Sequence, residues 1–145
     1  MSEPLDQLVT DPEALEILGQ HAGSWDAVMA RSGSSSSELE DIAALLKAAP
    51  GVKWDADDVE PLQLEQVRGA LVQVVEKDMA YQMRVCSEEK AQAVVEHILG
   101  QFNPYQLKVF HSDGQPCSNS DATFDRGFVF IDSSKVGVLV VEDED

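Results

Sequence analysis

Residues 128–141 have the sequence FVFIDSSKVGVLVV, and no other part of this 145-residue chain says as much about its architecture. Two apolar runs, 128–131 and 136–141, have the length and composition of strands. The four residues between them, Asp132 to Lys135, suit a hairpin loop. We therefore predict that these runs form an antiparallel β-hairpin.

The pattern upstream of the hairpin predicts alternating strands and one helix. Apolar and polar residues alternate over 81–86 and again over 105–109, which is typical of strands. Between them, Ser87 is followed by helical spacing of apolar residues that ends at Gly100. The order from residue 81 is therefore predicted as β-α-β-β-β, with the last three strands in an antiparallel meander.

The first part of the chain predicts short helices. Asp11 and Pro12 form a favourable helix start, and Ser37 begins a capping box. Ser24 is expected to cap a short helix, and Pro61 to open the longest one. The predicted fold class is α+β: N-terminal short helices followed by β-α-β-β-β with a mostly antiparallel sheet.

Composition suggests three segments. Residues 32–37 form a Gly/Ser linker or loop, which separates an acidic helical segment, 1–31, from an α+β domain with a short acidic C-terminal tail, 38–145. The alternative is that residues 1–31 pack on the same domain.

Charge limits the partners of the chain. It carries 27 acidic and 10 basic side chains, with a formal net charge of −17. Binding to nucleic acid or to an anionic membrane needs basic patches, so both partners are disfavoured. A basic protein surface is the natural complement. The alternative is that the acidity only keeps the chain soluble.

The sequence indicates a cytoplasmic protein. It has no secretory signal pattern, and its longest apolar run is far too short to span a bilayer. Nothing around Cys86 or Cys117 points to an oxidising compartment, so we expect free thiols. We expect no cofactor, and a monomer or a small homo-oligomer.

One acidic segment contains an aromatic residue and is the first candidate for partner contact. Its residues are Trp54, Asp55, Asp57, Asp58 and Glu60. A tryptophan anchor among carboxylates suits a surface rich in Arg and Lys. A divalent cation is a second interpretation, although the spacing does not fit an EF-hand. The third is a solvated loop before a helix.

The acidic residues that follow Val141 include two further candidates for partner contact, Glu142 and Asp143. They suit an electrostatic arm that speeds encounter with a basic partner. Two other interpretations are a frayed end and a charged segment that protects the apolar run 136–141 from aggregation.

A polar loop, residues 111–121, provides the main candidate for catalysis. It brings His111 and Cys117 near Asp125 in the sequence. A Cys nucleophile needs a His base within hydrogen-bonding reach, and six residues of loop separate the two. The Cys and His spacing does not fit a zinc site, so we predict neither a metal nor a catalytic residue.

These observations favour binding over catalysis. We expect a non-catalytic inhibitor or immunity (antitoxin-like) protein that neutralises a basic protein partner by charge complementarity. One alternative is an acidic chaperone for an exported protein. Another is an enzyme or small-ligand domain with a site near His111, Cys117 and Asp125.

Overall fold

The computed structural model describes residues 5–21, 23–31, 37–49, 59–77, 83–111 and 124–143. Within these ranges the elements are, in order, α1 (Pro12–Leu18), β1 (Gly23–Ala30), α2 (Glu38–Ala48), β2 (Glu60–Leu62), α3 (Leu64–Glu76), α4 (Glu88–Leu99), β3 (Lys108–His111), β4 (Phe124–Ile131) and β5 (Lys135–Asp143). The strands form one antiparallel sheet in the order β1-β5-β4-β3-β2. The predicted α+β class is confirmed.

The predicted hairpin forms the centre of the sheet. β4 and β5 pair from Phe124 opposite Asp143 to Ile131 opposite Val136, so both strands extend beyond the apolar runs. β5 also pairs along its other side with β1, and β4 with β3. The two central strands are therefore hydrogen-bonded on both sides.

Different helices cover the two faces of the sheet. Phe128, Phe130 and Leu139 lie on one face and pack among side chains of α1, α3 and α4. Val129 and Val138 lie on the opposite face and pack against α2. Because β4 and β5 are buried on both faces, their sequences are continuous apolar runs.

The turn between β4 and β5 is organised by the buried Asp132 carboxylate. Its Oδ1 accepts hydrogen bonds from the backbone N–H groups of Ser134 (2.8 Å) and Lys135 (2.9 Å). Its Oδ2 accepts one from the N–H of Asn103 (2.9 Å), in the segment after α4. Burial alone would raise the pKa of Asp132, but these hydrogen bonds outweigh it and lower the pKa below its ordinary value.

An arginine ties the same turn to β1 and α2. Arg31 Nη1 donates to the carbonyl oxygen of Asp132 (3.0 Å), and Arg31 Nε donates to Asp41 Oδ2 (2.7 Å). Asp41 is buried on α2. This network connects both layers of helices to one end of the central hairpin.

The short helix predicted after Ser24 is wrong, because residues 23–30 form strand β1. Trp25, Ala27 and Met29 alternate toward the face covered by α2, while Val28 packs on the other face. The apolar residues of this short segment fit the spacing of a helix as well as that of a strand. Pairing with the free side of β5 determines which of the two forms.

Two other predicted boundaries differ from the structure. Pro61 lies in strand β2, and α3 begins three residues later at Leu64. Proline is tolerated there because β2 is an edge strand and needs no donor on its outer side. Where a strand was expected over 81–86, the described residues 83–86 show only an isolated bridge between Lys77 and Arg84.

The first 31 residues contribute a strand as well as a helix. Leu8, Val9 and α1 are buried in the same cluster as α3 and α4. The proposed linker, 32–37, lies outside the described residues except for Ser37. Ser37 is the N-cap of α2, where its side chain accepts a hydrogen bond from the N–H of Glu40.

Candidate functional site

Strand register pairs two carboxylates near one end of the central hairpin. Asp125 of β4 lies directly opposite Glu142 of β5, and such antiparallel pairs have Cα atoms about 4.5–5.5 Å apart. Glu60 begins β2 opposite His111, and His111 in turn lies opposite Phe128. Glu60 is therefore level with Phe128, three residues along β4 from Asp125, and lies on the opposite face of the sheet from Asp125 and Glu142. We call Asp125 and Glu142 the acidic end of the sheet.

The acidic segment with the tryptophan leads into β2 instead. Trp54, Asp55, Asp57 and Asp58 lie outside the described residues. Only Val59 separates them from Glu60, which is exposed on the edge strand β2. Glu60 and Glu142 were both candidates for partner contact, and the register places Asp125 beside Glu142 only.

Asp143 has a different environment from its neighbour Glu142. Its carboxylate oxygens lie 2.8 and 3.1 Å from His21 Nδ1, and both side chains are buried. His21 Nε2 donates to the carbonyl oxygen of Val75 at the end of α3 (3.1 Å). The burial of Asp143 differs from the surface contact expected of it. The frayed-end interpretation does not hold for either residue, because both belong to strand β5 and pair with residues of β4.

The structure does not bring the proposed catalytic residues together. Cys117 lies outside the described residues. His111 is opposite Phe128 and shares its face of the sheet, where its Nδ1 lies 3.2 Å from Arg126 Nη2. Strand alternation places Asp125 on the opposite face. Asp125 therefore cannot orient or activate His111 directly.

The one cysteine in the described ranges is a poor nucleophile. Cys86 is half-buried, and burial together with the nearby Glu76 carboxylate raises the pKa of its thiol. A raised pKa leaves the thiol protonated near neutral pH, whereas nucleophilic attack requires the thiolate.

Most cations of the described part of the chain are already paired with carboxylates. Six of them lie within 4.0 Å of a carboxylate oxygen: Arg31, Arg68, Arg84, Lys90, Lys108 and Lys135. Many other carboxylates, by contrast, are exposed and outside these ion pairs: Asp6, Asp11, Glu16, Glu40, Glu60, Glu65, Glu88 and Glu89. The surface therefore keeps an excess of negative charge that internal pairing does not neutralise.

A groove runs between α3 and α4 on the side away from the sheet. It consists of two adjoining cavities of about 440 and 410 Å³, both lined by Arg68 and Glu96. We call it the α3–α4 groove. The groove is not visible in the sequence, because it depends on how α3 and α4 lie relative to each other. The one local indication of the groove in the sequence is Gly69, a glycine in the interior of α3.

The described residues lack two features. No group of three or more His, Cys, Asp or Glu side chains among them is arranged to hold a metal ion. No helix in the same ranges combines the length and apolar character needed to cross a bilayer.

Comparison with known proteins adds no relative. A scan against protein-family models, a search of curated proteins and a search of solved structures each found no match.

Proposed function

We propose that this protein is a non-catalytic, acidic protein-binding module that neutralises a basic protein partner, as an inhibitor or immunity (antitoxin-like) protein does. The observation that carries the proposal is the uneven pairing of surface charge. Most described cations contact carboxylates, while carboxylates on several elements remain exposed. Such a surface attracts a basic partner over long range and raises the rate of encounter.

Two acidic regions are the proposed contacts: the segment that ends at Glu60, and the acidic end of the sheet. Glu60 is exposed and Glu142 is half-exposed. The sequence attaches Trp54, Asp55, Asp57 and Asp58 just before Glu60. An aromatic anchor surrounded by carboxylates is the composition expected where a partner presents Arg and Lys.

The proposal includes a cytoplasmic location. Cys86 is a free thiol, and free thiols suit a reducing compartment.

Affinity capture from the native host tests the proposal. The immobilised protein is exposed to lysate at low and at high salt, and bound proteins are identified by mass. We expect one stoichiometric basic protein, with less captured at high salt because screening weakens exposed charge pairs. Recovery of no specific partner at either salt concentration contradicts the proposal.

A charge-reversal variant with a matched control tests the contact region. The test variant changes Asp55, Asp57, Asp58 and Glu60 to Lys. The control reverses four exposed carboxylates elsewhere: Asp6, Glu16, Glu40 and Glu89. Both variants have the same net charge, so a larger loss of capture in the test variant assigns the contact to residues 55–60. Equal loss in both indicates that only total charge matters.

A further inference from the structure

The α3–α4 groove has a buried apolar floor and an open mouth. Val67, Val95 and Phe102 line it and are at most 3% exposed. Above this floor, Leu64 is 54% exposed, and Val72 and Leu99 are half-buried. An apolar surface that the fold leaves open is available to a partner.

Gly69 keeps the middle of this groove open. It lies in the interior of α3, where glycine is unfavourable compared with alanine. A Cβ atom added at this position would have no described atom within 4 Å, so close packing does not require glycine here. The missing side chain leaves space between Arg68 and Val72, both of which line the groove.

The groove has the dimensions of a short helix. Leu64 faces Leu99 at one end, and Val72 faces Glu88 and Gln92 at the other, so α3 and α4 are antiparallel. The eight residue steps from Leu64 to Val72 span about 12 Å, which matches slightly more than two helical turns. An amphipathic helix uses its apolar face to fill such a groove.

Addition of a strand at the neighbouring sheet edge is less suited to this region. β2 has only three residues and contains Pro61, which cannot donate a backbone hydrogen bond. The helix groove is therefore the better docking surface.

The charges around the groove favour a basic occupant. Glu88 and Glu96 line it, and Glu65 is exposed one residue from Leu64. Arg68 is the one cation among the lining residues, and it is paired with Glu96. A second copy of the chain would bring a net charge of −17 against the same charge, which disfavours self-association.

We propose that the α3–α4 groove binds an amphipathic helix of the protein partner, with the apolar face of that helix on Leu64, Val72 and Leu99. Its Lys or Arg residues lie toward Glu65, Glu88 and Glu96. This inference rests on the proposed function and specifies how the basic partner is held.

The test uses model peptides of about 14 residues, a length at which an isolated helix begins to be stable. The probe is a fluorescent amphipathic Leu/Lys helix. The comparison peptides are a scrambled Leu/Lys sequence without an apolar face and an amphipathic Leu/Glu helix. Binding is measured by fluorescence anisotropy with wild-type protein, with Gly69→Leu and with Gln73→Leu. Gln73 is exposed on α3 and does not line the groove.

We expect the amphipathic Leu/Lys helix to bind, and Gly69→Leu to weaken binding by about tenfold or more because the new side chain occupies the groove. Gln73→Leu should leave binding within about twofold. The scrambled and Leu/Glu peptides should bind at least about tenfold more weakly. Thermal unfolding of Gly69→Leu confirms that the variant is folded.

Several results would overturn the inference. These are equal binding by Gly69→Leu and wild type, equal binding of the scrambled peptide, the absence of saturable binding, and a wild-type dimer that Gly69→Leu dissociates. Different results would refute the groove inference and the proposed function. Capture of a basic partner that Gly69→Leu does not weaken refutes the groove alone, whereas absence of a basic partner refutes the proposed function.

Discussion

The substitution Asp132→Asn should destabilise the fold at neutral pH. In the wild-type protein, the two carboxylate oxygens accept backbone hydrogen bonds from Asn103, Ser134 and Lys135 at 2.8–2.9 Å. Asparagine keeps one acceptor oxygen, so the best orientation retains the bonds from Ser134 and Lys135. Its amide then points at the N–H of Asn103, and two donors face each other.

The expected loss in the free energy of unfolding follows from these contacts. A hydrogen bond to a charged group contributes about 1.5–3 kcal/mol, and an unsatisfied buried donor costs about 1–3 kcal/mol. Loss of one such bond and of the charge that strengthens the others gives a decrease of about 3 kcal/mol in the free energy of unfolding. For a chain of this size, that corresponds to a decrease of about 10 °C in Tm.

The pH dependence of this effect has a definite sign. Hydrogen bonds lower the pKa of Asp132 in the folded state, despite its burial. The ionised side chain therefore stabilises the fold at pH values above its unfolded pKa of about 3.9. That contribution is lost as the pH falls through the folded pKa, so the difference between wild type and Asp132→Asn should shrink in acid.

Urea unfolding of both proteins at pH 7 and near pH 3 measures this difference. Glu16→Gln is the control, because Glu16 is exposed on α1 and its substitution should change stability by less than about 0.5 kcal/mol. The reasoning is refuted if Asp132→Asn is as stable as wild type at pH 7, or if the difference does not narrow in acid.

Three further predictions concern individual side chains. Gly69→Ala should raise the free energy of unfolding by about 0.8–1 kcal/mol, because the position is helical and has open space; a decrease in urea unfolding would contradict this. Asp143→Ala should lower it by about 3–5 kcal/mol, because His21 loses a buried partner; a Tm equal to that of wild type would show that the pair is dispensable. Arg68→Ala should change it by less than about 1 kcal/mol, because the ion pair of Arg68 with Glu96 is exposed; a larger loss in urea unfolding would indicate that this pair holds α3 and α4 together.

Local signals in the sequence predicted much of the fold. The helix starts at Asp11, Ser37 and Ser87 are confirmed, since each side chain accepts a hydrogen bond from a backbone N–H three residues later. These caps depend on residues close in the chain, so the sequence contains the whole interaction. The central hairpin was predictable for the same reason, because its turn and both apolar runs are contiguous.

The features that sequence analysis missed depend on distant partners. β1 is a strand because β5 has a free side, and more than 100 residues separate the two strands. His21 and Asp143 are 122 positions apart, so nothing near His21 indicated that it would be buried against a carboxylate. In both cases tertiary contacts override weak local preferences.

The candidate sites likewise include features visible in the sequence and features that depend on the fold. Acidic composition and the segment from Trp54 to Glu60 were visible in the sequence. The pairing of Asp125 with Glu142, and the position of Glu60 on the opposite face, required the strand order and register. The α3–α4 groove required the relative placement of two helices, for which the only local signal was Gly69.

The salt dependence of the association rate with the captured partner tests the central claim, charge complementarity, most directly. Stopped-flow or surface-binding kinetics would be recorded over a range of ionic strength, with dissociation measured separately. We predict that the association rate falls by about tenfold or more from low to high salt, while the dissociation rate changes much less. An association rate that is independent of salt would contradict the account.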